Sequence, residues 1–196
     1  MTREEQKRYK ELNKYLDNKT KEIFKAYSLK KKDYMFYISK NNMFYSVMFS
    51  MTKPQNTVKV YFYAKPLWLD DILWDILDMS SNKKAPISLR SVGAFTINSQ
   101  IDEKEYPFEN EEDIDRIADS VFKNIISLAN TYTEDDFFKD YNSISYQSEM
   151  IHTIVLIYNE EYETALNFLK NTEIRNFITN NKCFSELAIE YINNIK

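Results

Sequence analysis

Glycine, histidine and cysteine each occur only once in this chain of 196 residues. A loop that cradles phosphate needs several glycines so that backbone N–H groups can approach the anion, and Gly93 alone cannot supply them. A zinc site needs three or four ligands, of which His152 and Cys183 provide two at best. One cysteine also excludes a disulfide within the chain. These absences argue against nucleotide-binding loops, protein zinc sites and disulfide frameworks, and we expect no cofactor.

Long hydrophobic runs are missing as well. Apolar residues make up 43% of the chain, but no run approaches the roughly 18–20 residues of a membrane span. The first eight residues are too polar for a signal peptide, and a lone cysteine suits a reducing compartment. We therefore expect a cytoplasmic protein without a membrane partner.

Charge is plentiful but unevenly distributed. Residues 1–40 hold 12 basic and 6 acidic side chains, residues 41–100 hold 6 and 4, and residues 101–196 hold 8 and 20. Such asymmetry is typical of a charged binding face, although two segments that each hydrate their own surface would look the same. An acidic face predicts a basic protein partner. The overall charge of −4 argues against nucleic acid as the partner.

Hydrophobic periodicity predicts an α+β fold. The predicted strands are 34–38, 43–51, 57–65 and 92–101, with a possible bulge at Gly93. The predicted helices are 3–27, 67–79, 110–132, 133–141, 145–158, 160–170 and 184–195, with a further helix beginning at Thr172. We expect an antiparallel sheet of about four strands with packed helices in residues 1–108, and a helical subdomain packed on it in residues 109–196.

Two segments resemble known families. The stretch from Tyr158 to Leu169 resembles the bend and second helix of a tetratricopeptide-type repeat, in which a small residue, here Ala165, lets two helices approach. It covers about one repeat, whereas an independent solenoid needs at least three. The alternative is an ordinary helical hairpin packed on the sheet.

The order of elements over residues 9–101 resembles that of small bacterial cytoplasmic proteins of the immunity-protein type, some of which neutralise a toxin from a sibling cell. The residues that carry this resemblance are 24–32 (FKAYSLKKK), 58–65 (VKVYFYAK) and 67–74 (LWLDDILW). The resemblance implies a class of protein and brings no functional residues with it.

Carboxylates offer the chemistry of an alternative function. Asp71, Asp75 and Asp78 share a helix face and could hold Mg²⁺, although such a row is also the ordinary hydrated face of an amphipathic helix. The spacing of Asp102 and Lys104 resembles the second half of a restriction-type nuclease motif, for which Asp70 or Asp71 would be the missing acidic partner. A metal-dependent nuclease using Asp70 or Asp71, Asp102 and Lys104 is therefore one alternative, and a charged turn is the other interpretation of the motif.

Basic and aromatic residues alternate near the first predicted strand. Lys30, Lys31 and Lys32 could contact phosphates while Tyr34, Phe36 and Tyr37 stack on bases, which makes a nucleic-acid-binding module a second alternative. Lysines at a helix end or a sheet edge would give the same pattern.

The lone histidine and cysteine could form a base and a nucleophile. His152 has apolar neighbours in sequence, and neither side chain has a defined third partner. We predict that both are packed residues without a catalytic role.

Aromatic content, at 15% of the chain, is the feature that favours an interaction protein. Tyr61 and Tyr63 alternate with Lys59 and Lys65 on one face of a predicted strand, and such a face, if open, is a protein-binding platform. The predicted partner-binding residues are Tyr61, Tyr63, Glu109, Glu111, Glu112 and Asp113. The function hypothesis is a non-enzymatic bacterial interaction protein, of the immunity type, that neutralises a basic toxin or binds another protein partner.

Overall fold

A computed structural model describes residues 2–52, 56–93, 95–143 and 147–195. These residues form a five-stranded antiparallel sheet and eight α-helices, which confirms the α+β class with five strands in place of four. The strands are β1 (Lys30–Lys32), β2 (Met35–Lys40), β3 (Met43–Thr52), β4 (Thr57–Pro66) and β5 (Gln100–Pro107), which neighbour one another in that order. The helices are α1 (Arg3–Ile23), α2 (Leu67–Ile76), α3 (Leu89–Val92), α4 (Glu111–Thr131), α5 (Glu134–Asp140), α6 (Ser148–Tyr158), α7 (Tyr162–Asn171) and α8 (Phe184–Ile195).

The sequence-based prediction of strands is wrong at the two edges of the sheet. Strand β1 consists of three lysines, so it has no alternation of apolar and polar residues to identify it; it pairs with β2 through a turn at which Asp33 has a φ of 52°. The last strand was expected at 92–101 but lies at Gln100–Pro107, where residues 102–105 are all exposed. Gly93 follows the short helix α3 with a φ of −74° and marks no bulge.

Contacts between Cα atoms divide the chain into two compact, discontinuous units. The sheet unit comprises Met1–Ala64 and Gln100–Thr133, and the helical unit comprises Lys65–Ser99 and Glu134–Lys196. This division differs from the expected boundary at 108/109, because α4 belongs to the unit that contains the sheet.

In the sheet unit, α4 packs on β2, β3 and α1. The Phe122 ring on α4 lies 5.0 Å from the ring of Phe36 and 5.6 Å from that of Phe49, each edge to face, an arrangement that aromatic pairs prefer. Val47 and Val58 are completely buried. The period-two alternation in β4 and the 3.6-residue apolar stripe in α4 therefore correspond to buried faces, whereas residues 43–47 of β3 are buried on both faces of the sheet.

In the helical unit, α2 contacts α6 and α8, and α7 contacts both α6 and α8. Leu69, Leu73, Ile154 and Phe184 are completely buried. The prediction of a helix from Thr172 is wrong, since residues 172–183 contain no helix; within them, residues 179–182 form a turn closed by a bridge between Thr179 and Lys182.

Candidate functional site

The acidic residues predicted to bind a partner surround the start of α4. Asn110 caps the helix by accepting from the Asp113 N–H at 3.0 Å, and Asp113 accepts from the Glu109 N–H at 2.9 Å and the Asn110 N–H at 3.3 Å. The Glu109 N–H is the largest cause of a lowered pKa of Asp113, and the Arg116 ion pair and the Asn110 N–H add to it. Asp113 is thus occupied in the cap, while the side chains of Glu109, Glu111 and Glu112 are exposed.

Further along, α4 is paired with the basic helix α1. Tyr15 donates to Asp115 at 3.0 Å, and the Lys19 ammonium lies 3.2 Å from the same carboxylate. The Tyr27 hydroxyl donates to Asp119, and this hydrogen bond is the largest cause of a raised pKa of Tyr27. Part of the positive charge of the first 40 residues is therefore neutralised by α4 within the sheet unit.

The remaining charge is distributed unequally between the two units. The sheet unit holds 17 basic and 15 acidic residues, whereas the helical unit holds 9 and 15. The negative excess of this protein therefore belongs to the helical unit, with a net charge of −6.

Tyr61 and Tyr63 lie on the face of β4 opposite the buried Val58, as predicted, and both are half-buried. Tyr61 lies across from Glu103 on β5, and Lys59 forms ion pairs with Glu103 and with the neighbouring Glu105. Lys65, expected beside these tyrosines on an open face, is instead buried, with only 4% of it exposed.

Lys65 belongs instead to a buried ionic cluster of the helical unit. Its ammonium lies 2.8 Å from Asp70 Oδ2 and donates to the Ile97 carbonyl at 2.7 Å. The completely buried Asp70 also accepts from the Ile97 N–H at 2.9 Å and lies 3.5 Å from Arg90, which donates to Asp71 at 2.6 Å. Burial lowers the pKa of the Lys65 ammonium, and the Asp70 carboxylate opposes that shift. Both aspartates of the nuclease hypothesis are thus held by cations of the chain itself.

The other residues of that hypothesis lie on an exposed strand. Asp102 on β5 accepts from the Glu103 N–H at 2.9 Å and lies 3.4 Å from the Lys104 ammonium. Lys104 in turn lies 5.5 Å from the centre of the Phe62 ring. Among the residues that the structure describes, no group of three or more histidine, cysteine or carboxylate side chains is arranged to hold a metal ion.

The lysines proposed to contact phosphate form the edge strand β1. Lys31 lies over the Phe36 ring at 5.4 Å and Lys32 lies 3.7 Å from Asp33. Phe36 and Tyr37 are buried, whereas Tyr34 is 60% exposed. Of the three rings expected to stack on bases, Tyr34 is therefore the one at the surface.

His152 and Cys183 have separate surroundings in the helical unit. The His152 ring stacks on Tyr141, whose hydroxyl lies 3.3 Å from Nδ1, and meets Phe168 edge to face at 4.9 Å. Cys183 donates its backbone N–H to Glu186 and lines an open groove of about 610 Å³ beside α8.

A group of stacked rings on the helical unit was missed by the sequence analysis. Trp68, at the start of α2, lies parallel to Tyr158 with ring centres 3.9 Å apart and an angle of 13°. Phe138 lies 5.8 Å from Trp68 at 22°, and Phe137 meets the indole edge to face at 6.1 Å. Tyr158 is 41% exposed. Trp68 shares a helix face with the polar Asp71, and an aromatic residue on a polar helix face is the signal that could have identified this group.

One carboxylate holds the two stacked rings together. Glu134 Oε1 accepts from the Trp68 indole N–H at 2.6 Å and from the Tyr158 hydroxyl at 3.2 Å. Burial raises the pKa of Tyr158, and the negative charge of Glu134 adds to this effect. We call Trp68, Glu134, Phe138 and Tyr158 the Trp68 surface. Exposed acidic residues adjacent to it in sequence are Asp135, Glu160 and Glu161.

Within the described parts of the chain, the helices are all too short or too polar to span a bilayer. No protein-family model, curated protein or solved structure matches the chain.

Proposed function

We propose that this protein is a non-enzymatic, cytoplasmic binding protein of the bacterial immunity type, and that it engages a basic protein through the Trp68 surface. The observation that supports this most is the pair of parallel rings tied to Glu134, with Tyr158 41% exposed. Tryptophan and tyrosine are the residues that most often supply binding energy at protein interfaces. Rings held by packing and hydrogen bonds lose little conformational freedom when a partner binds.

Charge supports a basic partner. The helical unit carries a net charge of −6, and complementary fields accelerate the encounter of two proteins. Toxins that cut nucleic acids need basic surfaces to bind phosphate. An acidic inhibitor can occupy such a surface in place of the nucleic acid.

The test uses each protein encoded beside the gene for this chain that has a signal peptide and a net positive charge. Each is produced in cells with and without this protein, and growth is measured. For a toxin that this protein neutralises, association is then followed by stopped flow across a salt series. We expect growth to be rescued and the on-rate to fall steeply with salt.

Two variants of equal charge change locate the contact. Glu160 and Glu161 follow Tyr158 by two and three residues, whereas Glu111 and Glu112 are in the first turn of α4. We expect E160K/E161K to weaken binding more than E111K/E112K, which controls for net charge and tests the acidic residues predicted from the sequence. No rescue by any neighbouring product, or a salt-independent on-rate, would overturn the proposed function; equal or reversed effects would overturn the assignment to the Trp68 surface.

A further inference from the structure

We propose that the Trp68 surface is an arginine-recognition site, an inference that rests on the proposed function and names the side chain that this surface binds. The planar guanidinium group would lie on the exposed face of Tyr158 and donate to Glu134. Three features carry this inference: the available ring face, the unused oxygen of the carboxylate, and an arrangement of the same chemistry elsewhere in the helical unit.

The available face is that of Tyr158. One side of its ring is covered by Trp68 at 3.9 Å, nearly parallel, and 41% of the residue remains exposed. Phe138 lies 6.0 Å from the same ring at 34°, so the part of Tyr158 that neither Trp68 nor Phe138 covers is the surface that a ligand can reach. Two stacked rings present their negative faces along one direction, which attracts a cation placed over them.

The carboxylate has capacity for a further donor. Both aromatic donors bind Oε1 of Glu134. Among the described residues, none donates a hydrogen bond to Oε2 of the same side chain. A guanidinium offers five N–H groups in one plane, so it can stack on Tyr158 and reach this oxygen together.

The helical unit already contains one arginine bound in this way. The guanidinium of Arg90 lies 4.6 Å from the centre of the Trp74 ring and donates to the Asp71 carboxylate at 2.6 Å. The Trp68 surface would form the same combination, with the ring from Tyr158, the carboxylate from Glu134 and the guanidinium from the partner.

Arginine is favoured over lysine by geometry and hydration. A lysine ammonium is a compact and strongly hydrated charge, whereas guanidinium is weakly hydrated and flat enough to stack. A stacked cation is worth about 0.5–2 kcal/mol, which corresponds to about 2- to 30-fold in affinity. We expect a preference for arginine of about tenfold.

The experiment compares two peptides of equal charge and length. One contains four arginines and the other four lysines, and in both peptides Gly-Ser separates the basic residues. Binding to the full chain is measured by calorimetry and by tryptophan fluorescence, with free L-arginine as a competitor. We expect tighter binding of the arginine peptide, displacement by millimolar arginine, and loss of the preference in Tyr158→Ala and in Glu134→Gln. The matched control is Tyr34→Ala, because Tyr34 is 60% exposed but lies in the sheet unit.

The outcomes separate this inference from the proposed function. Equal binding of both peptides overturns the arginine assignment and leaves the basic-partner proposal standing. Absence of peptide binding while a basic toxin is still neutralised also overturns the arginine assignment. If neither peptide binding nor toxin neutralisation is observed, the arginine assignment and the proposed function are both overturned. Glu134→Gln keeps the size and shape of the side chain, so it remains informative if Tyr158→Ala fails to fold.

Discussion

Replacing Lys65 with methionine should leave the buried carboxylate of Asp70 without its ammonium partner and destabilise the protein strongly. Asp70 is completely buried, and the Lys65 ammonium lies 2.9 Å from its Oδ1 and 2.8 Å from its Oδ2. Without that ammonium, Asp70 keeps the Ile97 N–H and the guanidinium of Arg90 at 3.5 Å. The Ile97 carbonyl loses its 2.7 Å donor in the same substitution.

The expected loss follows from these contacts. Removing one partner of a buried ion pair costs about 3–5 kcal/mol, because the other charge remains in the low-dielectric interior. For a chain of this size each kcal/mol shifts Tm by about 2–4 °C, so K65M should lower Tm by about 6–20 °C. In K65M/D70L both charges leave together, and we expect a loss smaller than the sum of the single variants.

The partner variant D70N adds a pH signature. Burial lowers the pKa of Lys65, and D70N removes the carboxylate that opposes this shift. The pKa of Lys65 in the folded variant then lies still further below that of the unfolded chain, so the folded state releases its proton first and stability rises with pH between the two values. We expect the cost of D70N to shrink as pH is raised toward the ordinary lysine pKa of 10.5.

Urea denaturation followed by tryptophan fluorescence measures both effects, since the ring of Trp74, one of the two tryptophans, lies beside Arg90. K59M is the matched control, because Lys59 is also a paired lysine on β4 but is partly exposed. K59M should change stability little, as surface ion pairs do. A loss for K65M no greater than for K59M would refute this account of the buried cluster.

Three other substitutions test local features. D113N should be less stable than the native chain at neutral pH. The difference should shrink as pH falls below the ordinary carboxyl pKa of 3.8 and be lost once pH falls through the lowered pKa of Asp113 in the folded state, because the fold stabilises this carboxyl group only in its ionised form; equal melting curves at pH 7 would contradict this. G93A should cost about 1–3 kcal/mol, since a Cβ there would lie 2.4 Å from the Leu89 carbonyl oxygen, and an unchanged urea midpoint would show that the helix end moves freely. Y27F should cost about 1 kcal/mol by loss of its hydrogen bond to α4, measured by thermal melting with Y34F as the exposed control.

The bounds of elements with a clear hydrophobic period could be predicted, since in β4 and α4 that period reflects one buried face. Strands β3 and β4 lie within two residues of their predicted bounds, and α4 begins after Asn110 as its capping residues indicate. The scarcity of glycine did not prevent tight turns. Left-handed backbone positions are filled mainly by asparagine and aspartate, which tolerate this conformation; among the described residues these are Asp33, Asn41, Asn42, Asn56, Asp78, Asn180 and Asn181.

Features built from residues far apart in sequence could not be predicted in the same way. The alternation of Phe95 and Ile97 resembled a strand, but the Ile97 N–H is bound by the Asp70 side chain 27 residues earlier. The Trp68 surface likewise joins Trp68 to Tyr158, 90 positions away. The hydrophobic period of a segment indicates whether that segment is a helix or a strand. It contains no information about which distant residues will pair with it.

Charge shows most clearly how long-range pairing changes an inference about function. The acidic residues after position 100 suggested a binding face at the start of α4. In the fold, Asp113 is used in the helix cap, and Asp115 is paired with the basic helix α1. A carboxylate already paired with a cation contributes little field to attract another one. Glu109, Glu111 and Glu112 stay exposed, but the net negative excess of six lies in the helical unit, which also contains the stacked rings proposed to bind a basic partner.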